Sequence, residues 1–339
     1  MMTRKNPISK LKDAVIAVTY RCNSRCISCN ICRNLPPEEL PTAFYRGLPP
    51  GLENIGITGG EPTLREDLTD LIGIIRARCR KAKLTLSTNG LLLGKIRGEL
   101  KEIYKIDRNI GIAVSIDGIG PVHDKVRGVP GSFPLAVEGI KILRETGFRD
   151  LRVSFSICDE NADQISRVYR LARSLKAAFT LGLAQNSSNY FRKTDNLFTR
   201  GDLLKEGVNY VMRRELNSFN PKKWFMSYYD YGLYWLHARG KRLLKCDALE
   251  GSLFIDPSGD IYPCIFSTDK AGSLKDWGRD FAGFWSSGEA ARAREKARRC
   301  GRSCWQLCTA RTPILNNILP VSLWVLKKKI LSLVKPEIL

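Results

Sequence analysis

The sequence predicts an α/β fold: a partial barrel of six strand–helix units with a small Cys-rich C-terminal extension. Three observations carry this. Short β-branched apolar runs alternate with segments of helical apolar spacing from Ala14 to Leu183, the pattern of a parallel sheet with crossover helices. At 339 residues, 43% hydrophobic and 26% charged, the chain is globular material of barrel size. Nine of the eleven cysteines cluster at its two ends, at 22, 26, 29 and 32 and again at 246, 264, 300, 304 and 308.

The elements follow in order. Ala14–Thr19 reads as the first strand and Ile55–Thr58 as the second. Leu68–Cys79 is helical, Leu84–Ser87 a strand, Leu91–Tyr104 helical and Ile110–Ile116 a strand. Phe133–Glu145 is a helix, Leu151–Ile157 a strand, Ala162–Leu175 a helix and Ala178–Leu183 the sixth strand. Six units fall short of the eight of a closed barrel, leaving one side open for a large substrate. The expected domains are 11–185 for the barrel, 186–245 for a helical bridge, 246–310 for the Cys-rich unit and 311–339 for a basic amphipathic tail.

Composition narrows the chemistry. Two histidines argue against His-rich metal sites and most His-based acid–base schemes. No run reaches the roughly 20 apolar residues of a membrane span. The basic Met1–Lys12 leads into the first strand without a small-residue cleavage site. Reduced thiols and a cytoplasmic location are therefore expected. Cys79 and Cys158 stand alone in apolar segments and read as inert thiols.

Cys22, Cys26 and Cys29 have the spacing C-x3-C-x2-C. Three thiolates on one loop can hold three irons of a cubane and leave the fourth open. A structural zinc site is the competing reading, and its fourth ligand would be Cys32. The second strand runs into Gly59-Gly60-Glu61-Pro62, where two glycines let backbone approach a ligand closely and Glu61 offers an acceptor.

With these two motifs some 30 residues apart, residues 11–185 resemble the radical S-adenosylmethionine (SAM) superfamily. The resemblance implies a partial (β/α)6 barrel in which Cys22, Cys26 and Cys29 ligate a [4Fe–4S] cluster. The open iron takes the amino and carboxylate groups of SAM, and Gly59, Gly60 and Glu61 match the segment that holds the methionine amino group. The position before the third cysteine, usually aromatic, is Ser28. The resemblance further implies reductive SAM cleavage and hydrogen abstraction by a 5′-deoxyadenosyl radical. It also implies a low-potential electron donor such as ferredoxin or flavodoxin.

Polar residues interrupt the strand ends where ligands of such sheets sit. Ser87 and Asn89, then Ser115 and Asp117, then Ser154 and Ser156 are the candidates, with Arg127 following. Hydroxyl and amide side chains suit a ribose, and a guanidinium fork suits a carboxylate. Ser115 and Arg127 match positions that contact the SAM carboxylate in relatives of the sulfatase maturases. Asp117 is either a ribose or substrate contact or a cap, and His123 reads as structural.

The segment Leu253–Cys264 reads as a β-hairpin that brings Cys246 and Cys264 together. Cys304 and Cys308, at i and i+4, share a face if helical. Five cysteines suffice for one four-thiolate cluster with one to spare. The spacing C-x12-G-x4-C resembles the auxiliary-cluster extension of radical SAM enzymes in its short, twitch-like form, implying a second [4Fe–4S] cluster. Which of Cys300, Cys304 and Cys308 ligate it stays open, and zinc is the competing reading.

Net charge is +21, with a basic run from Arg292 to Arg302. The tail 313–339 mixes Leu, Ile, Val and Trp324 with Lys327–Lys329, and Pro320 is expected to break it. It suits either an interfacial helix on an anionic membrane surface, at the inner face of the membrane, or a helix packed on the barrel. No RNA-recognition signature accompanies the charge. The aromatic stretch Trp224–Trp235 is expected to be helical and to line the substrate cavity. The expected reaction is oxidation or bond formation on a membrane-associated lipid or lipid-linked glycan, with a peptide, protein or soluble sugar as alternatives. A zinc-stabilised nucleic-acid-binding module is the rival from another class.

Overall fold

A computed structural model describes residues 7–33, 38–278 and 280–339, so the first six residues of the basic Met1–Lys12 stretch lie outside it. Nine strands form one open sheet in the order β6-β5-β4-β3-β2-β1-β7-β8-β9. The six barrel strands are β1 (Asp13–Ala17), β2 (Asn54–Thr58), β3 (Lys83–Thr88), β4 (Gly111–Ser115), β5 (Leu151–Ile157) and β6 (Ala178–Leu183). Each pairs in parallel with the next, as six adjacent units joined by crossovers require.

The strands alternate in character, and the alternation creates the site. Ile16, Ile57, Leu84, Leu86, Ile112, Val114, Val153 and Phe155 are fully buried in the main core. Their neighbours Gly56, Thr58, Ser87, Ser115, Ser154 and Ser156 point to the other face and line a cavity. A small polar residue every second position leaves both room and hydrogen-bonding groups there.

Four crossovers are helical, as expected. The predicted helix Leu91–Tyr104 is two helices, Leu93–Arg97 and Glu99–Ile106, divided at Gly98. Between β1 and β2 no α-helix occurs among the described residues. That crossover is built from the Cys loop and short 3-10 turns, including Thr42–Gly47.

The Cys-rich extension is not a separate layer. Its hairpin, β7 (Ser252–Ile255) and β8 (Asp260–Tyr262), joins the barrel because β7 pairs in parallel with β1, Asp13 opposite Ser252. A two-residue strand, β9 (Gly272–Ser273), completes the edge. The expected boundary at 310 falls inside the helix Leu307–Asn316. Arg311 and Thr312 of that helix reach back to the Asp13 carboxylate at 2.9 and 2.8 Å.

The tail differs from expectation. Pro320 does not break it: the helix runs unbroken from Ile318 to Val334, with Pro320 in the first turn, where a missing N–H costs nothing. Its buried side packs on the helices Gly201–Leu216 and Pro221–Arg239. The aromatic stretch lies on the second of these but does not line the cavity between the strand ends. Tyr228 and Tyr231 contact Trp324, and Tyr229 stacks on Trp305. These residues form the seat of the C-terminal helices.

Candidate active site

A cavity of about 380 Å³ opens at the carboxyl ends of β1–β5 and is lined by Cys22, Cys26 and Cys29. The loop bearing them is pinned at both ends by backbone. Gly60 N donates to Thr19 O and Glu61 N to Arg21 O, both at 2.8 Å. On the far side Arg25 N donates to Arg127 O and Ile27 N to Val126 O, at 2.9 and 3.0 Å.

This packing gives the glycines a structural reason of their own. A methyl group at Gly60 would lie 2.2 Å from Arg21 O, and one at Gly59 2.3 Å from Thr19 O. Gly128, in the left-handed region at φ +64, would press its methyl 2.2 Å from Arg25 O. The backbone that approaches Gly59 and Gly60 so closely is the Cys loop itself. Both glycines still line the cavity.

Glu61 spends its acceptors within the protein. Its carboxylate is fully buried and does not line the cavity. It accepts from Thr63 Oγ1 at 2.7 Å, Thr63 N at 3.2 Å, Thr88 Oγ1 at 2.8 Å and Asn89 N at 2.6 Å. A charge removed from water must be met by such donors, and here they are the protein's own. Glu61 therefore ties the β2 end to the β3 end and fixes Asn89.

Asn89 lines the cavity and donates to Asn23 Oδ1 and Ser24 Oγ on the Cys loop, at 2.6 and 3.0 Å. Ser87 and Ser115 line the same wall. Asp117 spends both oxygens within the protein, accepting from Arg127 Nη1 at 3.1 Å and Ser156 N at 2.7 Å. It thereby orients Arg127, which also lines the cavity. Burial alone would lower the Arg127 pKa, but the Cys26 and Asp117 charges outweigh it and hold the guanidinium firmly cationic. His123 is structural, as expected: its Nδ1 accepts from Asp117 N at 3.0 Å, and burial lowers its pKa to about 4.

The three thiols fit an iron–sulfur group. Burial pushes Cys22 up to about 11 and Cys29 up to about 12, so thiolates there call for a cationic partner. Cys32 lines the same cavity beside them. Among the described residues no three His, Cys, Asp or Glu side chains gather tightly enough for a single ion.

The second set is assembled from distant segments. Cys246, Cys264, Cys300 and Cys304 line an adjoining cavity of about 250 Å³. Cys308 lines the first cavity, in common with Cys22, Cys26 and Cys29. Cys304 and Cys308 do not share a helix face, because the helix starts only at Leu307. They converge nonetheless: burial raises Cys308, and repulsion from Cys264, Cys304 and Cys246 raises it further. Cys264 is likewise pushed up to about 12, by burial first and then by Cys304 and Cys246. Cys300 is exposed. Arg242 braces this set, donating to Cys304 O at 2.9 Å, Cys304 Sγ at 3.4 Å and Thr309 O at 2.9 Å while lying over the Trp305 ring.

Between the two sets lies a small aromatic core of Tyr20, Tyr190, Phe254 and Phe266. The segment that supplies Tyr190 escaped the sequence reading, although an aromatic pair among Asn and Ser was a usable signal. Tyr190 donates to Gly59 O at 2.7 Å, Phe191 O accepts from Asn30 N at 2.9 Å, and Asn196 Nδ2 donates to Ser28 O at 3.1 Å. Tyr190, Phe191, Ile265 and Gln306 complete the cavity wall. Cys79 and Cys158 are buried away from both cysteine sets.

Residues 16–172 match the radical SAM superfamily model. The chain is 28% identical over 315 residues to the mycofactocin maturase MftC of Mycolicibacterium smegmatis, covering 86% of this chain and 77% of that protein. Among solved structures it is similar to Streptococcus suis SuiB bound to S-adenosylmethionine, with a TM-score of 0.63 at 19% identity, over 85% of this chain and 68% of that one. It is also similar to anSMEcpe with bound AdoMet and a Cp18Cys peptide, with a TM-score of 0.62 at 12% identity, over 93% and 99%. These two likenesses speak for the fold. Together with the Cys loop at the mouth of a six-stranded partial barrel, the family match identifies residues 16–172 as a radical SAM domain, and members of that superfamily use a [4Fe–4S] cluster and SAM.

Proposed function

We propose that this radical SAM enzyme abstracts hydrogen from an unactivated carbon of a membrane-associated substrate and that the net change is an oxidation or a new bond. The observation that carries the redox half is Cys308, a member of the second cysteine set on the wall of the cavity that Cys22, Cys26 and Cys29 also line. In this reading Cys22, Cys26 and Cys29 hold the first cluster, and Cys246, Cys264, Cys304 and Cys308 hold the second. The clusters and SAM supply the radical chemistry and an electron acceptor. The chain's own residues bind, orient and exclude water.

Arg127, anchored by Asp117, offers its remaining donors to the SAM carboxylate, with Ser115 beside it. Ser87 and Asn89 face the ribose, and Glu61 acts at one remove by fixing Asn89. Phe191, packed on the Cys loop, supplies the aromatic face that Ser28 lacks. The small aromatic core keeps water from the space between the two cysteine sets. An acidic low-potential donor such as ferredoxin or flavodoxin suits a chain of charge +21.

The membrane half rests on the C-terminal helix, whose outward side is apolar and exposed. A peptide or protein substrate is the second reading, favoured by the likeness to a maturase along most of the chain. One experiment separates them. Anaerobic reconstituted enzyme is given deuterated cell extract split into lipid and aqueous fractions, and 5′-deoxyadenosine is analysed by mass spectrometry. Label delivered by the lipid fraction is expected; label from the aqueous fraction alone transfers the proposal to peptides or sugars.

A further inference from the structure

The C-terminal helix carries a single apolar stripe. Leu319, Leu323, Leu326, Ile330 and Leu333 recur at three- and four-residue steps and are between 57% and 71% exposed. The opposite side, through Val321, Val325 and Ser332, is buried. Lys327 borders the stripe on one side and Lys329 on the other. Lys329 donates to Leu216 O and Ser218 O, which ties the neighbouring loop to the helix. That loop presents Phe219 fully to solvent, at 100% exposure. No helix among the described residues is long and apolar enough to cross a membrane.

A second feature adjoins it. Between the helices Ile165–Ser174 and Gly201–Leu216 lies an open cleft of about 1060 Å³. Its lining includes six cationic side chains, Arg167, Arg170, Arg173, Arg213, Arg214 and Lys223, against two carboxylates, Asp163 and Glu206. Lys223 is neutralised by Glu215 at 2.9 Å. Arg167, Arg170 and Arg173 have no ion-pair partner among the described residues, and Arg214 lies over the Tyr210 ring, 4.6 Å from its centroid. Two buried polar atoms of the lining, Tyr210 Oη and Arg213 Nε, likewise have no hydrogen-bond partner among the described residues. Cleft and stripe are joined by the loop after Leu216: Asn217 and Ser218 line the cleft, and Ser218 O accepts at 3.2 Å from Lys329, which borders the stripe.

We propose that this face is a docking surface for an anionic phospholipid bilayer. The Leu319–Leu333 stripe and Phe219 enter the interface, and the arginine cleft receives headgroup phosphates. An apolar helix face flanked by lysines is the physical form of an interfacial anchor, and anionic lipid rewards each nearby cation. A second copy of this chain is the wrong occupant. Apposing two such faces would bring Lys327 and the arginine cleft against their own images on a chain of charge +21. This deepens the membrane-associated reading of the substrate, and its test involves no turnover, so its failure leaves the SAM chemistry standing.

The test is sedimentation of the anaerobic holoenzyme with vesicles of phosphatidylcholine alone or with phosphatidylglycerol added. Wild-type protein is expected to pellet with the anionic vesicles and far less with the neutral ones. The pair Leu323→Ser and Leu326→Ser, at exposed positions that leave the fold intact, is expected to stay in the supernatant. The pair Arg170→Glu and Arg214→Glu is expected to lose anionic-vesicle binding by about tenfold or more. Formation of 5′-deoxyadenosine without substrate is expected to be unchanged in both double variants, since none of the four positions lines the cavity between the strand ends. Wild-type protein that ignores anionic vesicles, or a stripe variant that pellets like wild type, overturns the proposal. A wild-type dimer that the stripe substitutions split gives the face to a second copy and overturns it too.

Discussion

The two cysteine sets are built in opposite ways. Cys22, Cys26 and Cys29 lie within eight residues, on one loop clamped by backbone hydrogen bonds and by three close-packed glycines. Cys246, Cys264, Cys304 and Cys308 come from three separate stretches, gathered by a hairpin, a buried Trp305 and the Arg242 guanidinium. The first set depends on local backbone that cannot move. The second depends on side-chain packing across the sheet, where β7 has been added to β1. The arrangement tells which parts of the molecule each set needs, and substitution can separate them.

The largest separation comes from the cysteines. Cys26→Ala is expected to abolish 5′-deoxyadenosine formation, measured by chromatography after reduction, whereas Cys79→Ala leaves it intact. Cys308→Ser is expected to remove about half of the bound iron, and Cys300→Ser none. Equal iron loss in the last two would move the ligand set to Cys300.

Next come the supports. Gly60→Ala places a methyl 2.2 Å from Arg21 O, a backbone atom that cannot rotate away. We expect a stability loss of about 2–4 kcal/mol and failure to hold the first cluster alone. Arg242→Ala removes the hydrogen bonds to Cys304 and Thr309 and the contact with Trp305. Its cost is expected to be about 2–3 kcal/mol, with loss of the second cluster alone. Iron analysis and denaturation midpoints check both, and the opposite pattern would mean that the two sets share one support.

The smallest effect is a pH dependence confined to the first set's side. His123 has its pKa lowered from 6.5 to about 4, by burial. Below pH 6.5 the unfolded chain therefore binds a proton that the folded one refuses, and stability falls as pH falls towards about 4. His123→Asn keeps an acceptor for Asp117 N without the titration. Between about pH 6.5 and pH 5 the wild type is expected to lose about 2 kcal/mol more than the variant. Parallel urea profiles for the two would contradict this.

The same contrast explains what the sequence could reveal. β6 was legible to the residue, Ala178–Leu183, because a short apolar run carrying Phe179 and Thr180 directly after a helical segment has a local signature. So was C-x3-C-x2-C, whose chemistry depends on neighbours in the chain. The pairing of β7 with β1 was not legible: it joins residues some 240 apart and follows from tertiary packing. Cys304 and Cys308 read as helix partners by spacing, but the helix begins only at Leu307, and the two thiols meet through the fold. The roles of Gly59, Gly60 and Glu61 were legible as positions and not as contacts. A sequence shows that glycine is needed, whereas only the structure shows that the close neighbour is the Cys loop. Pro320 misled because a proline that breaks a helix interior is harmless in its first turn.

The central claim is that the chain holds two iron–sulfur clusters at one cavity, each on its own cysteine set. Mössbauer spectroscopy with iron and sulfide counts on anaerobically reconstituted protein tests it most directly. The comparison needs wild type, a Cys22→Ala/Cys26→Ala/Cys29→Ala variant and a Cys246→Ala/Cys264→Ala/Cys304→Ala/Cys308→Ala variant. The account predicts two [4Fe–4S] signals in wild type and one in each variant, with SAM perturbing only the signal lost when Cys22, Cys26 and Cys29 are replaced. A single signal in wild type, or zinc in place of iron at Cys246, Cys264, Cys304 and Cys308, would contradict it.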